Sequence, residues 1–307
     1  MDITALRAAT PGCANRVHLN NAGAALLAQP TLDAMTGHLE REALLGGYEA
    51  GEDAHEEIAA TYDRIAALVG GRSDEVALFD NATRAWNAAF YSVPMRAGDR
   101  ILTGRAEYGS NILAYLQVAQ RTGAEVVVVP DDEHGQLDVG ALEKLVDDRT
   151  RLIGISHVPT DGGLVNPAAE IGRVARAAGV PYLLDATQSV GQFPVDVEEI
   201  GCDMLSATGR KSSAAPGAPA SSGSVRRCST GSIRTSSRSA RRTGSARAAS
   251  PGRTAPPASR PGSTATSTCS GSAPRSARRS TSGSRRSAPA WWRSARYCAT
   301  GSTPCPA

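Results

Sequence analysis

After Asp203 the sequence has no acidic residue, and from Ser212 onward it also has no Lys, His, Asn, Gln, Leu, Phe or Met. What remains in 212–307 is mostly Ser, Arg, Ala, Gly, Thr and Pro. Such a segment cannot bury enough apolar surface to offset chain entropy, so it is expected to be disordered. Long apolar runs are missing too, which argues against a membrane-spanning helix. The opening MDITALRAATPG has no apolar stretch behind a basic start, so no signal peptide is expected. Cysteines number six, at positions 13, 202, 228, 269, 298 and 305, and none forms a CxxC pair. That argues against zinc or a disulfide framework and for a reducing, cytoplasmic setting.

The net charge of +3 hides a division. Residues 1–211 hold all 30 acidic residues against 17 basic ones, a net of about −13, whereas 212–307 carries 16 Arg. A basic arm of this kind suggests attraction to nucleic-acid phosphates. Trp291 and Trp292, beside Arg293 and Arg296, can stack on bases.

Residues 1–211 read as alternating helix and strand. Apolar residues recur at three and four over Thr31–Leu45 and over Ala54–Val69, as on helices. A short strand is predicted over Val76–Phe79, followed by a helix from near Thr83. Strand-like ILTG, EVVVVP, RLIGISHV and PYLLDA then alternate with helical SNILAYLQVAQRTG, DVGALEKLVDD and NPAAEIGRVARAAG. Near-continuous apolar strands predict a parallel sheet covered on both faces, hence an α/β fold. Gly123 and Gly179 stand where helix C-caps belong.

Three segments carry possible chemistry. Thr83 lies between a strand and a helix; it is either a plain N-cap or part of an anion cradle of backbone N–H groups. Asp185 ends an apolar strand, where open α/β sheets gather ligands, although a helix-capping Asp fits equally well. Lys211 follows the apolar stretch CDMLSATGRK, and a loop lysine taken alone reads as solvated surface.

Their order along the chain resembles the class V aminotransferase and cysteine desulfurase family, enzymes dependent on pyridoxal 5'-phosphate. The resemblance is carried by HVPTDGG…PYLLDATQ…SATGRK and extends upstream through EYGSN (107–111) and DNAT (80–83) to LNNAG (19–23). It implies the large domain of the aspartate aminotransferase-like fold, of the seven-stranded type and incomplete here, and a homodimer. Lys211 would form the Schiff base and act as catalytic base; Asp185 would pair with the ring nitrogen and Gln188 with the ring oxygen. Ala82, Thr83, Thr208 and Arg210 would surround the phosphate. Asn21, Ala22 and Gly23 would edge the pocket of an amino-acid substrate, and no metal is implied.

Three positions depart from the pattern. Tyr108 stands where cysteine desulfurases carry a His that stacks on the ring and moves protons; Tyr stacks but is a weaker base. Arg210 replaces the His that commonly precedes the Lys and is expected to serve the phosphate. Thr160, a further cofactor contact, stands where many members have Asn. His157, Cys13 and Cys202 have no catalytic match and read as structural.

The family pattern stops after Lys211, without its Gly-rich stretch or small C-terminal domain. The tail composition is that of a G+C-rich gene read out of frame: with one base restored, GAPASSGS reads back as a Gly-rich segment. The sequence-level expectation is therefore a cofactor-binding domain over 1–211, an out-of-frame tail over 212–307, and little or no activity for the chain as it stands. The competing reading is a non-enzymatic protein with an Arg/Ser-rich nucleic-acid-binding tail.

Overall fold

The computed structural model describes residues 2–160 and 162–212. The expectations for the tail, whether disorder, frame or nucleic-acid contact, lie outside the described residues beyond Ser212.

The helices are α1 (Ile3–Ala8), α2 (Gln29–Leu45), α3 (Gly47–Asp53), α4 (His55–Val69), α5 (Ala82–Tyr91), α6 (Gly109–Thr122), α7 (Val139–Leu145), α8 (Ala168–Ala178) and α9 (Val197–Ile200). The strands are β1 (Arg100–Thr103), β2 (Glu125–Val128), β3 (Thr150–Ser156), β4 (Tyr182–Asp185) and β5 (Met204–Ser206). All pair in parallel, in the spatial order β2-β1-β3-β4-β5. Parallel neighbours require crossovers, and α6, α7, α8 and α9 supply them. The chain steps from β1 to β2 on one side and to β3 on the other, so the direction of winding reverses at β1/β3. Crevices at the carboxyl ends of strands collect ligands at such a reversal.

Successive strand residues feed opposite cores. Leu102, Ile153, Ile155, Leu184 and Leu205 pack on one face with Leu142 of α7 and Ile171 of α8. Their neighbours Ile101, Leu152, Leu183 and Met204 pack on the other with Trp86, Phe90 and Tyr115. The Trp86 ring is stacked on Phe90 of the same helix at 5.0 Å and meets Tyr115 edge-on at 5.2 Å, the second contact joining α5 to α6. The expected doubly covered strands are present, with β2 as a half-covered edge: Val128 is 49% exposed. Gly123 and Gly179 end α6 and α8 in the left-handed conformation, as C-caps.

Two readings from the sequence need correction, the strand over Val76–Phe79 and the plain N-cap at Thr83. Val76–Phe79 is not a strand: it pairs with no strand among the described residues, and an apolar run becomes one only beside a neighbour. The helix begins near Thr83 as expected, at Ala82, but its N-cap is Asn81, whose side chain accepts from Arg84 N, so Thr83 is not a plain cap. Among the described residues the sheet has five strands, and β5, three residues long, has no counterpart among the strands expected from the sequence.

Two packing details give tests of the fold. Gly172, buried in α8, lies so close to α9 that a Cβ there would overlap the Ile200 carbonyl oxygen. Gly172→Ala is expected to lower unfolding free energy by about 1–3 kcal/mol. Arg173→Ala, on the solvent side of the same helix, should stay within about 0.5 kcal/mol of the parent in urea denaturation. His157, just past β3, is buried with Nδ1 3.0 Å from Ser189 Oγ and its ring edge-on to Phe193. Burial lowers its pKa from 6.5 to about 4. The unfolded chain therefore binds the extra proton first, and stability present above pH 6.5 is lost as pH falls toward about 4. His157→Gln should flatten that acid limb, measured as unfolding free energy against pH.

Candidate functional site

The carboxyl ends of β3 and β4, the N-termini of α5 and α6, and the segment after β5 enclose a cleft of about 110 Å3. The sequence-predicted residues converge there. Ala82, Thr83, Tyr108 and Thr160 line it, as do Asp185, Gln188, Arg210 and Lys211. Thr208 sits behind the lining, 3% exposed, and its hydroxyl has no hydrogen-bond partner among the described residues. Asn21, Ala22 and Gly23 do not line the cleft; Ala22 and Gly23 meet its residues through their backbone carbonyls. Neither Cys13 nor Cys202 lines the cleft.

Lys211 is 5% exposed and its Nζ donates to Ala22 O at 2.7 Å. Gln188 Nε2 donates to the same oxygen at 3.1 Å. The Arg210 guanidinium donates to Gly23 O, and Ala25 N returns a bond to Arg210 O at 2.9 Å. The early LNNAG segment is thus tied to the end of the described chain. Burial lowers the Lys211 pKa, the Arg210 charge lowers it further, and Asp185 opposes both. A lysine in this state is a better nucleophile and base near neutral pH than a solvated one.

Asp185, at the end of β4, is held from two sides. Thr187 N donates to its Oδ1 at 3.0 Å, and Asn111 Nδ2 donates to its Oδ2 at 2.9 Å. Asn111 lies in the first turn of α6, three residues beyond Tyr108, and is 1% exposed. Tyr108 itself is 46% exposed at the rim. Across the cleft, Ala82 and Thr83 present first-turn N–H groups that have no intrahelical partner, and Thr83 Oγ1 lies 3.5 Å from Ser110 Oγ. Asn111, Ser156 and Thr187 were given no role from the sequence; Asn111 belongs to the quoted EYGSN motif, but only the fold shows that it meets Asp185.

The donor set suits a phosphorylated pyridine aldehyde. The N-terminus of α5, the unpartnered Thr208 hydroxyl and the Arg210 charge offer an anion site, and a buried carboxylate and a buried amine stand in the same cleft. Among the described residues no three His, Cys, Asp or Glu gather as metal ligands, and no helix is long and apolar enough to cross a membrane.

Comparison with known proteins agrees with this geometry. A probable cysteine desulfurase of Methanothermobacter thermautotrophicus is 32% identical over 205 residues, 66% of this chain and 51% of that protein. A probable cysteine desulfurase of Synechocystis sp. is 33% identical over 208 residues, 66% of this chain and 50% of that protein. The chain therefore spans about half the length of these curated relatives. Among solved structures, the apo cysteine desulfurase of Thermococcus onnurineus superposes with a TM-score of 0.66 at 22% identity, over 74% of this chain and 57% of that one. The cystine C-S lyase C-DES, in complex with its product cysteine persulfide, gives 0.65 at 26% identity, over 71% of this chain and 58% of that one. The sequence profile described as aminotransferase class-V matches residues 17–224. The chain belongs to the class V aminotransferase family, whose members depend on pyridoxal 5'-phosphate.

Proposed function

We propose that the cleft binds pyridoxal 5'-phosphate and that this chain is the cofactor-binding part of an enzyme acting at the α-carbon of an amino acid. The observation that carries the reading is Lys211: an amine of lowered pKa, buried in a cleft that also holds Asp185. Ala82, Thr83, Thr208 and Arg210 would hold the phosphate, Asp185 the ring nitrogen and Gln188 the ring oxygen. Tyr108 and Thr160 would contact the ring from the rim, with Asn21, Ala22 and Gly23 beside the substrate. The bound cofactor supplies a sink for the electron pair left on the α-carbon. Lys211 Nζ receives the α-proton, and the buried surroundings keep water from competing for it.

A sulfur-containing amino acid is the substrate class favoured, because the relatives are named cysteine desulfurases and one structural neighbour is a cystine lyase. Tyr108, a phenol where a desulfurase carries an imidazole, leaves transamination and β-elimination beside desulfuration as outcomes. We further propose a cytoplasmic enzyme that works as a homodimer. In support of the dimer, no residue of α2 is buried, and Leu39, Leu44 and Leu45 are 61%, 84% and 51% exposed. The basic tail is proposed to touch nucleic acid only non-specifically.

The test is to load the chain with the cofactor, reduce with borohydride and map the modified peptide. Modification at Lys211, absent in Lys211→Ala, is expected. Cysteine, cystine and alanine are then offered in turn, and Lys211→Ala should lower any turnover by about 10²–10⁴-fold, the span typical of one positioned acid–base group. Absence of modification at Lys211 in the parent chain would remove the reading.

A further inference from the structure

Behind the cleft lies a second carboxyl group that the proposed chemistry does not use. Glu107 follows β1 in the loop that leads into α6. The residue as a whole is only part-buried, but its carboxyl end lies inside the protein. Glu107 Oε1 accepts from Ser156 N at 2.6 Å, and Oε2 accepts from Ser156 Oγ at 3.0 Å. Ser156 is the residue of β3 in direct register with Asp185 of β4. The Asn111 side chain donates to Asp185 Oδ2 and lies near enough to Glu107 to favour its charged form. A chain of contacts therefore runs from the end of β3 through Glu107 and Asn111 to the Asp185 carboxylate. Three separate elements, the β1–α6 loop, α6 and β3, converge on one oxygen of Asp185 through it.

We propose that Glu107 is a positioning residue for Asp185: clasped by Ser156, it holds the Asn111 amide against Asp185 Oδ2 and so fixes the face that Asp185 presents to the cleft. The proposal rests on the cofactor reading given above.

The electrostatics fit such a role. Burial pushes the Glu107 pKa up to about 8, against the pull of the Ser156 N–H, and the charge of Asp185 adds to the push. Near neutral pH Glu107 is thus chiefly a neutral carboxyl, able to anchor without placing a second negative charge behind Asp185. Tyr115 of α6 and Tyr182 of β4 also sense its charge, and the pKa of each is raised, burial being the main cause. An amide side chain has the same shape and keeps an acceptor for Ser156 N, so Gln should substitute for Glu. A side chain of similar bulk without polar atoms should not.

The experiment compares Glu107→Gln and Glu107→Leu in the full chain with two readouts. One is cofactor affinity by fluorescence titration. The other is hydrogen exchange of the Asn111 side-chain amide by NMR without cofactor. Glu107→Gln is expected to match the parent in both. Glu107→Leu should weaken cofactor binding about tenfold and speed Asn111 exchange by about the same factor, the equivalent of one lost hydrogen bond. Unchanged affinity and exchange in Glu107→Leu would reduce Glu107 to a packing residue and overturn the proposal. Should that variant not fold, Ser156→Ala removes one clasp on Glu107 and leaves Asn111 and Asp185 intact. A smaller change in the same direction is then expected, and no change in either readout overturns the proposal. If the parent chain takes up no cofactor, the functional reading fails by itself, and Asn111 exchange alone decides the role of Glu107.

Discussion

A carboxylate buried at the end of a central strand has little freedom to choose its direction, and Asp185 is in that position. Its side chain lies where β4 ends, and two donors, Thr187 N and Asn111 Nδ2, take one oxygen each. Neither donor is available unless the sheet is wound as it is. Thr187 belongs to the turn leaving β4, whereas Asn111 arrives from α6, which must cross from β1 to lie over the same end of the sheet. The aromatic contacts of Trp86 and Phe90 with Tyr115 press α6 into place from the far side. The orientation of one acid thus draws on the parallel register, a crossover helix and one hydrophobic core together.

The second dependence is longer in sequence. Ala22 O accepts from both Lys211 and Gln188, which satisfies both lone pairs of one carbonyl with donors 189 and 166 residues away. A backbone acceptor of this kind keeps its position whatever the side chain on it, so the segment reaches the cleft even though none of Asn21, Ala22 and Gly23 lines it. The tie also closes a very long loop, a step whose entropy cost rises only with the logarithm of loop length.

The legibility of the sequence follows from where each kind of information resides. β1, β3 and β4 were readable because a strand buried on both faces leaves an unbroken apolar run, and Gly123 and Gly179 because only certain residues close a helix comfortably. The three residues of β5 are too few to make a pattern. Val76–Phe79 shows the reverse: it has the pattern but no neighbour among the described residues. Asp185 and Lys211 were found through motif order, since either alone resembles a cap or a surface lysine. Glu107 and Asn111 lay in a quoted motif without a role. A glutamate in a loop reads as solvated, and its burial comes from tertiary packing of α6 over the ends of β3 and β4. The carbonyl of Ala22 had no side-chain signature at all.

The two ionisable groups facing each other across the cleft explain why burial here does not work against the proposed chemistry. Desolvation lowers the Lys211 pKa, and a buried amine left unpaired would be costly. The Ala22 carbonyl gives the amine an acceptor, and Asp185 pulls its pKa back toward the ordinary value while Arg210 pushes it down. The result is an amine of lowered pKa that is hydrogen-bonded in its resting position. Arg210 serves both ends of this balance: its charge acts on Lys211, and its guanidinium, bound to Gly23 O, anchors the segment that carries the Ala22 acceptor. The position before the lysine, where a histidine is common in the family, is therefore held by a residue that is always charged. Burial is the main cause of the lowered Lys211 pKa, and the permanent charge of Arg210 keeps its own share constant across the neutral range, which a titrating histidine would not.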